Sequence, residues 1–466
     1  MKKISTLKEM CYILEKIENQ ENLFEKKIKK IYFWKVIRFS LWSEIGIKSK
    51  LMEKAHDEKL NKVQKIKELF LGMIINFFKN NNSKKKIIIF ESVAYFKENR
   101  KVLSKFYFDL IKKLKQEKIE FEIVYPLYLK KEYRLEKNSY AEENYKYVFF
   151  KIIGFIKNKF NLFKFSIKDK EYLKNLRKYF GKEAGIEKLE VLSEKTLKKI
   201  LTNFESEYKY YTNFFKIKQP EKIYIICSYG KEALIAAAQD LDIEVIELQH
   251  GVMTKYQIGY NFPEVKIPYF PDKLLLWGEY WKANVDLPKN VKIELYGYPY
   301  LKRQYKKYKN IEKNLNQVIF ISQGTIGKKL SEKATEFAKE NPDLKVIYRL
   351  HPGEFLRWKK EYKDLYENRS LKNLEISDNN DKNLYEYLFE SEYLIGVYSA
   401  VIFEALNLGL KVGVINLFGV EYIEQLIKEE CIRLFQIEEK IDIEKIKNLK
   451  TTKNKFFNDS NETKEI

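Results

Sequence analysis

Cysteine, histidine, proline and glycine are all scarce in this 466-residue sequence, which has 3, 3, 9 and 17 of them. The cysteines lie far apart and form no Cys-x-x-Cys pair, which argues against a disulfide framework or a thiolate zinc site. Low glycine and proline contents disfavour disordered or fibrous structure. The start has no secretory signal, and four lysines interrupt the longest apolar stretch, residues 147–167. We therefore expect a cytoplasmic protein.

The net charge of +22 indicates a polyanionic neighbour. An anionic membrane surface or a phosphorylated substrate would fit, although solvated lysines account for part of the excess. The basic segment Leu23–Leu51 suits the inner face of the cell membrane, or else it is a helical arm whose aromatic side chains pack on the main body. Its aromatic residues include Phe24, Phe33, Trp34, Phe39 and Trp42. We expect no nucleic-acid partner, because no recognised binding motif accompanies the charge.

Short apolar runs alternate with helical patterns along most of the chain, which predicts α/β structure. Residues 1–83 are predicted as a basic helical region, and residues 84–310 as a Rossmann-like lobe with a helical insertion at about 130–220. A second such lobe spans 311–450, and a polar, frayed tail follows at 451–466. Within the first lobe, the pattern from Arg100 to Gln116 predicts a helix. Two such lobes facing a cleft form the GT-B architecture, in which ligands bind at the carboxyl ends of strands.

Two histidine motifs follow predicted strands: Gln249-His250-Gly251 and Arg349-Leu350-His351-Pro352. A neutral imidazole can accept a proton from a hydroxyl group, and an imidazole N–H can bind phosphate. Gly251 would let the chain turn sharply beside a substrate. For each histidine, a structural hydrogen bond at the strand end is the open alternative.

Further candidates lie at strand ends of the second lobe. Ser399 begins a helix, where its hydroxyl and the backbone N–H groups can bind phosphate, although serine is also an ordinary helix cap. Glu404 can bind the two hydroxyls of a ribose or can be a solvated helix residue. Three consecutive residues can line a nucleotide pocket with backbone N–H groups; these are Gln323, Gly324 and Thr325.

In this order the motifs resemble those of bacterial GT-B transferases that build capsules, lipopolysaccharide and teichoic acids. The likeness rests on QHG, RLHPGE and SDNNDKNLYEYLFESEYLIGVYSAVIFEAL, and it covers roughly residues 220–420. Bacterial sialyltransferases and capsule Kdo transferases share the HP motif and a serine-rich motif. CDP-glycerol glycerophosphotransferases share HG and R-x-HP motifs and a D-x-x-x-LY…YSS block. Gln-His-Gly departs from the acidic motif of the sialyltransferases, and Ala400 replaces a serine.

The resemblance implies that His250 is the base and that His351 and Ser399 bind the donor phosphate, with Arg349 or Lys255 adding positive charge. From their positions in these motifs and loops, we expect nucleotide binding by Gln323, Gly324, Thr325, Pro352 and Glu404, and acceptor binding or support by Gln249, Gly251 and Lys255. No cofactor and no metal ion are implied, although the acidic stretch Asp378–Asp381 leaves a metal site open.

The implied reaction is inverting sugar transfer from a nucleotide-activated donor of the CMP-sialic acid or CMP-Kdo type. The acceptor would be a cell-surface glycan or a lipid-linked molecule. One alternative is a polyol-phosphate transferase that uses CDP-glycerol or CDP-ribitol. An alternative from another class is a non-catalytic basic protein that binds a membrane or nucleic acid.

Overall fold

Two parallel β-sheets form the centres of two lobes, as the alternation of apolar runs and helices predicts. The computed structural model describes residues 4–52, 84–91, 95–98, 101–125, 140–142, 145–263, 265–450, 452 and 455–458. Among the described residues, one sheet has seven strands and the other has six, and two helices precede the first lobe. The predicted architecture, two Rossmann-like lobes with an extra N-terminal helical region, is confirmed.

The first sheet is formed by β1 (Ile87–Phe90), β4 (Phe121–Tyr125), β5 (Tyr140–Glu142), β6 (Lys222–Ile226), β7 (Glu244–Leu248), β8 (Lys273–Leu276) and β9 (Lys292–Leu295). Their order is β5-β4-β1-β6-β7-β8-β9, and the neighbouring strands run parallel. A separate antiparallel hairpin joins β2 (Tyr95–Glu98) to β3 (Lys101–Ser104).

The second sheet is formed by β10 (Asn314–Ile321), β11 (Lys345–Arg349), β12 (Leu374–Ser377), β13 (Ser391–Gly396), β14 (Lys411–Ile415) and β15 (Arg433–Phe435). The order is β12-β11-β10-β13-β14-β15, again parallel. The strand order changes direction between β10 and β13. Such a switch point opens a crevice at the carboxyl ends of the strands.

Helices cover the sheet faces. Those before and within the first lobe are α1 (Leu7–Glu21), α2 (Phe33–Lys48), α3 (Phe108–Gln116), α4 (Tyr145–Lys159), α5 (Ile167–Ala184), α6 (Glu194–Lys218), α7 (Glu232–Gln239), α8 (Glu279–Ala283) and α9 (Pro299–Tyr308). Those that follow are α10 (Gly327–Glu340), α11 (Trp358–Glu361), α12 (Lys363–Glu367), α13 (Leu384–Glu390), α14 (Ala400–Asn407), α15 (Glu424–Lys428) and α16 (Glu444–Lys447). Short 3₁₀ turns occupy Leu23–Glu25, Pro352–Glu354 and Val420–Ile423.

The strands are recognisable in the sequence because helices cover both faces of each sheet. Every residue of β1 is buried, and so is Val318–Ile321 of β10. A strand that is buried on both sides consists of consecutive apolar residues rather than alternating ones. Runs such as IIIF and VIFI are therefore direct signals of central parallel strands.

The helix predicted from Arg100 begins later than expected. Residues Lys101–Ser104 pair with β2 as a hairpin, and α3 begins at Phe108. The hydroxyl of Ser104 donates to Glu91 at 3.0 Å and accepts from the backbone N–H of Tyr107 at 3.2 Å. The prediction was wrong here because a serine that bonds to nearby backbone ends one element and begins another.

The N-terminal helices pack on the main body. Trp34 is fully buried and stacks on Phe180 with ring centroids 5.4 Å apart, while Phe24 meets Phe262 at 5.7 Å. The aromatic side chains of this segment therefore belong to the core, and the membrane interpretation of residues 23–51 was wrong. Among the residues described, no helix combines the length and apolar character needed to cross a bilayer.

The chain returns to the first lobe near its C-terminus. Phe456 is fully buried, and its carbonyl accepts from the indole N–H of Trp281 at 2.8 Å. Trp281 also meets Phe403 of α14 at 4.6 Å, so aromatic contacts join the two lobes. Residues 455–458 are thus packed, in contrast to the frayed tail that the polar sequence predicts; residues 459–466 lie outside the described part.

Candidate active site

Gln249 holds the loop that carries His250. Its backbone N–H donates to the carbonyl of Leu275, and its side-chain oxygen accepts from the N–H of Trp277 at 2.8 Å. The side-chain amide donates to the carbonyl of Gly251 at 2.9 Å. Gln249 thereby ties the end of β7 to the end of β8, directly before His250.

Gly251 does not have the conformational role that we predicted. A Cβ atom at this position would meet nothing within 4 Å, and its φ lies outside the left-handed region that favours glycine. The sharp-turn argument was therefore wrong. What Gly251 leaves beside His250 is open space.

His250 belongs to a hydrogen-bonded series of three side chains. Nδ1 of His250 lies 3.3 Å from the phenol oxygen of Tyr260, and that phenol donates to the carboxylate of Glu247. The same carboxylate oxygen accepts from the backbone N–H of Ser228 at 3.1 Å. Since the Tyr260 proton is directed to Glu247, the Tyr260 oxygen is free to accept from Nδ1–H. This assignment leaves Nε2 of His250 as the proton acceptor.

Burial and positive charge keep the His250 imidazole neutral. Burial is the main cause that lowers the pKa of His250 to about 4, and Lys231 and Lys105 lower it further. Lys231 is held close by the strand end, since its ammonium donates to the carbonyls of Ile226 and Cys227 at 2.6 and 2.8 Å. A neutral imidazole with a free Nε2 is the form that a general base requires at neutral pH.

Glu247 is a buried carboxylate close to the His250 imidazole. It is completely buried, burial raises its pKa, and among the described residues its second oxygen has no hydrogen-bond partner. Glu247 is the penultimate residue of β7, so its position on the strand alone does not bring it to the tip. The loop that carries Tyr260 places its phenol between Glu247 and His250, so that hydrogen bonds connect the two side chains.

An N-terminal helix contributes to the wall beside His250. The ring of Tyr229 lies 6.3 Å from the His250 ring, and Phe39 of α2 stacks on Tyr229 at 4.5 Å. Gly259 leaves the space that this ring fills, because a Cβ atom there would come within 2.4 Å of it. The first 50 residues are thus part of the site's support.

Arg38 anchors the loop that carries Tyr260. Its guanidinium donates to the carbonyl of Ile258 and, at 3.0 Å, to the carbonyl of Asn261. Arg38 is itself neutralised by Glu18 of α1, with Nη2 and Oε2 3.0 Å apart, and both side chains are buried. A buried ion pair that bonds backbone on either side of Tyr260 restricts where its phenol can lie.

In the second lobe, three predicted loops meet at one sheet edge. Gln323 follows β10, His351 follows β11 and Ser399 follows β13, and these strands are neighbours in the sheet. The backbone N–H of Tyr398 donates to Oε1 of Gln323 at 3.3 Å, and the hydroxyls of Thr325 and Tyr398 lie 2.8 Å apart. The structure therefore brings these predicted site residues together.

His351 lies in a turn that fixes its tautomer. Nδ1 accepts from the backbone N–H of Gly353 at 3.1 Å, so the neutral ring carries its proton on Nε2. The buried carboxylate of Glu354 accepts from the backbone N–H of His351 at 2.6 Å and from the hydroxyl of Ser322 at 2.9 Å. Burial of the ring lowers the pKa of His351. Pro352 begins the 3₁₀ turn.

Ser399 is the N-cap of α14. Its Oγ accepts from the N–H of Val401 at 3.2 Å, which leaves the hydroxyl proton for a ligand. The cap and the phosphate-binding roles are therefore compatible. The adjacent Tyr398 ring packs over Gly419, where a Cβ atom would approach it to 2.3 Å and φ is +93°.

Arg349 has a structural task that the sequence did not indicate. It pairs in register with Ser377 of β12, and its guanidinium donates to Ser377 at 2.7 Å, to the carbonyl of Asn379 and to Asn380 at 3.0 Å. These bonds direct it to the β12 side, away from Ser399 in the loop after β13. Arg357 lies beside the loops after β10 and β11, where it donates to the carbonyls of Gly324 and Gly353 at 2.9 and 3.2 Å and forms an ion pair with Glu361.

Glu404 and Lys255 occupy different surroundings from those predicted. Glu404 is 1% exposed and accepts from the phenol of Tyr385 at 2.6 Å, so it is not a solvated helix residue. Its ribose-binding role stays a prediction. Lys255 forms an ion pair of 3.3 Å with Glu424 of α15, next to a 2.7 Å hydrogen bond from Tyr256 to the same carboxylate. Lys255 thus joins the lobes.

Tyr422 lies near residues of both lobes. Burial raises the pKa of Tyr422, and Tyr398 from the Ser399 loop and Tyr229 from beside His250 contribute to the same shift. The Tyr398 and Tyr422 rings lie 5.2 Å apart. Tyr422 therefore marks the place where residues next to His250 and next to Ser399 approach each other.

The acidic stretch Asp378–Asp381 is a strand-to-helix loop. Asp378 accepts from the indole N–H of Trp358 at 3.2 Å, and Asn383 caps α13. Within the described ranges, no three His, Cys, Asp or Glu side chains come together as metal ligands.

Tyr260, Lys231 and Arg357 are candidates that the sequence reasoning missed. Only Lys231 carried a usable signal, as a lysine beside a strand end in the same lobe as the QHG motif. The others depend on loop conformation.

Replacing Tyr260 with phenylalanine tests the series of hydrogen bonds. We expect kcat to fall by about tenfold or more, because the His250 tautomer loses its partner and Glu247 loses a donor. Tyr269→Phe is the matched control, since its phenol only accepts a 3.4 Å bond from the N–H of Tyr32. Steady-state kinetics of both variants measure kcat. Thermal unfolding shows whether each variant is still folded, so that a loss of orientation can be distinguished from a loss of folding. Equal kcat values would show that Tyr260 does not orient His250.

A scan against protein-family models finds no match for the sequence, and neither does a search of curated proteins. Solved structures with similar backbones include UDP-GlcNAc 2-epimerase from Methanocaldococcus jannaschii, 14% identical with a TM-score of 0.45, covering 80% of this chain and 96% of that one. The Neisseria meningitidis UDP-GlcNAc 2-epimerase is 14% identical with a TM-score of 0.42, covering 76% and 87%. Acinetobacter baumannii MurG is 12% identical with a TM-score of 0.41, covering 76% and 86%. At such values the function has to be argued from the site itself.

Proposed function

We propose that the chain is an inverting, metal-independent glycosyltransferase that uses a nucleotide-activated sugar. The proposal is carried by the neutral His250 imidazole, which is linked through Tyr260 to the buried Glu247 at a sheet edge. The donor would be of the CMP-sialic acid or CMP-Kdo type, and the acceptor a surface glycan or lipid-linked molecule. These finer parts rest on the sequence motifs.

In the proposed reaction, Nε2 of His250 takes the proton of an acceptor hydroxyl. The hydroxyl oxygen attacks the anomeric carbon from the face opposite the leaving group, while the bond from that carbon to the phosphate oxygen breaks. Configuration at the carbon is therefore inverted. The imidazolium that forms donates through Nδ1–H to Tyr260, and the nearby Glu247 carboxylate stabilises its charge.

The departing nucleotide keeps the bonding electron pair on its phosphate oxygen. Nε2–H of His351 and the hydroxyl of Ser399 would donate to that phosphate, as their geometry allows. The N-terminus of α14 adds the positive end of an eight-residue helix. Arg357 takes the place that we first gave to Arg349 as the nearby cation. These groups supply charge stabilisation without a metal ion.

A donor panel tests the proposal. Purified protein is incubated with CMP-sialic acid, CMP-Kdo, UDP-sugars or CDP-glycerol, and nucleotide release is measured. We expect hydrolysis of one sugar nucleotide, and a KM for that donor about 10- to 100-fold higher in His351→Ala because a hydrogen bond to a charged phosphate is lost. His56→Ala, which removes the remaining histidine, is the matched control.

Each alternative has its own outcome in this panel. Turnover with CDP-glycerol alone would replace the proposal by polyol-phosphate transfer, in which the same base and phosphate ligands serve an attack on phosphorus. A measurable function that survives both His250→Ala and His351→Ala would favour a non-catalytic binding protein.

A further inference from the structure

Helix α4 and the loop after it present large apolar side chains to solvent. Phe155 and Phe160 are each 67% exposed, and Leu162 is 60% exposed. The exposed apolar side chains together form an outer apolar face, which consists of Phe149, Ile152, Phe155, Ile156, Phe160 and Leu162. Because most of them are spaced by three or four residues, they lie on one side of α4. Contiguous apolar surface of this kind marks an interaction site.

The opposite side of α4 is seated on α6, which determines the direction of the outer face. Tyr147 meets Tyr210 with ring centroids 5.1 Å apart, and Lys151 forms an ion pair with Glu207. Gly154 lies so close to Ser206 that a Cβ atom would come within 2.9 Å of its Oγ. The phenylalanines therefore point outward because the inner side is already packed.

Positive charge surrounds the outer apolar face. Residues 145–168 contain lysines and no aspartate or glutamate; the lysines are Lys146, Lys151, Lys157, Lys159, Lys164 and Lys168. Lys159, Lys164 and Lys168 are exposed. The nearest acidic residue in sequence, Asp169, is engaged in the cap of α5 with Ser166. The surface thus combines exposed aromatic residues with Lys159, Lys164 and Lys168, which form no ion pair within the part of the chain that the structure describes.

We propose that the outer apolar face binds the surface of an anionic phospholipid bilayer. Phenylalanine and isoleucine side chains would enter the boundary between headgroups and acyl chains, and the flanking lysines would contact anionic headgroups. A helix with one packed and one apolar side that bears lysines at its margins lies parallel to such a surface. This site differs from the buried segment 23–51, and it does not depend on the proposed reaction.

Co-sedimentation with vesicles tests the proposal on the full chain. We expect binding to phosphatidylcholine vesicles that contain phosphatidylglycerol, weak binding to phosphatidylcholine alone, and release as salt rises. The variant Phe155→Ser/Phe160→Ser/Leu162→Ser should lose most of the binding. The variant Lys159→Glu/Lys164→Glu/Lys168→Glu should weaken it by roughly a hundredfold or more.

Lys306→Glu/Lys307→Glu/Lys309→Glu is the matched control, because it changes the net charge equally at exposed lysines of and beside α9. It should retain most of the binding, and thermal unfolding should show all variants folded. Equal losses in both charge variants would overturn the proposal, since overall charge would then explain the binding. A dimer in solution that the serine variant converts to a monomer would also overturn it and identify a second copy as the occupant.

Discussion

Replacing His250 with glutamine is expected to lower kcat by about 100- to 10,000-fold, which is the usual contribution of a general base. Glutamine preserves a polar side chain but cannot accept a proton at neutral pH. The KM for the donor should change little, because the residues proposed to hold the donor phosphate, His351 and Ser399, lie in the other lobe. Steady-state kinetics with the donor found by the panel measure both constants. Unchanged kcat would remove His250 from the mechanism.

The pH dependence provides a second measurement of the same residue. Burial lowers the pKa of His250 from 6.5 to about 4, so the neutral, active form is present above pH 4 and is lost below it. The acid limb of kcat/KM should therefore fall near pH 4 rather than near 6.5.

Stability should follow the same titration. Folding favours the neutral ring, because the pKa of His250 is lower in the folded protein than in the unfolded chain. With respect to this group, the free energy of unfolding is highest above pH 6.5 and decreases as the pH falls toward 4. The decrease amounts to about 3 kcal/mol at most. Carboxylates titrate in the same range, and for that reason the wild-type protein must be compared with His250→Gln, which lacks this loss.

Replacing Arg38 with methionine is expected to lower the free energy of unfolding by about 3–5 kcal/mol. The change leaves Glu18 as an unpaired buried carboxylate and deprives the carbonyls of Ile258 and Asn261 of donors. Urea unfolding followed by tryptophan fluorescence measures the effect. Arg177→Met is the matched control, because Arg177 is exposed and should change stability by no more than about 0.5 kcal/mol.

A double variant separates the charge from the backbone contacts of Arg38. Removing both charges with Glu18→Leu/Arg38→Met should restore part of the stability, since no buried ion remains unpaired. The Ile258 and Asn261 carbonyls stay without Arg38, so kcat should remain low through the displaced Tyr260. A single variant Arg38→Met as stable as Arg177→Met would show that the ion pair does not hold the loop.

Arg349 illustrates why chemistry at a strand end does not settle a role. An arginine two residues before His351 is a reasonable phosphate ligand from the sequence. The register between β11 and β12 places Arg349 opposite Ser377, and its guanidinium is hydrogen-bonded to Ser377 and to the loop after β12. Arg357, eight residues later, donates to the carbonyl of Gly324 in the loop after β10 instead.

The segment Leu23–Leu51 shows the same limit for aromatic residues. Its mixture of lysines, phenylalanines and tryptophans is compatible with a membrane surface or with packing on the body, and periodicity cannot distinguish them. Trp34 and Phe33 prove to be fully buried. In α4 a similar composition faces outward, because α6 occupies its other side.

The sequence by itself determined the two-lobed α/β architecture, since strands buried on both faces must be continuous apolar runs. It also determined that His250, His351 and Ser399 follow strands, at the edges where parallel sheets bind ligands. Only the tertiary structure decided which groups surround them. Tyr260 reaches His250 because Arg38, more than 200 residues earlier, bonds the loop on both sides of Tyr260. Local propensities contain no information about contacts across such separations, so the partners of the histidines came from the fold alone.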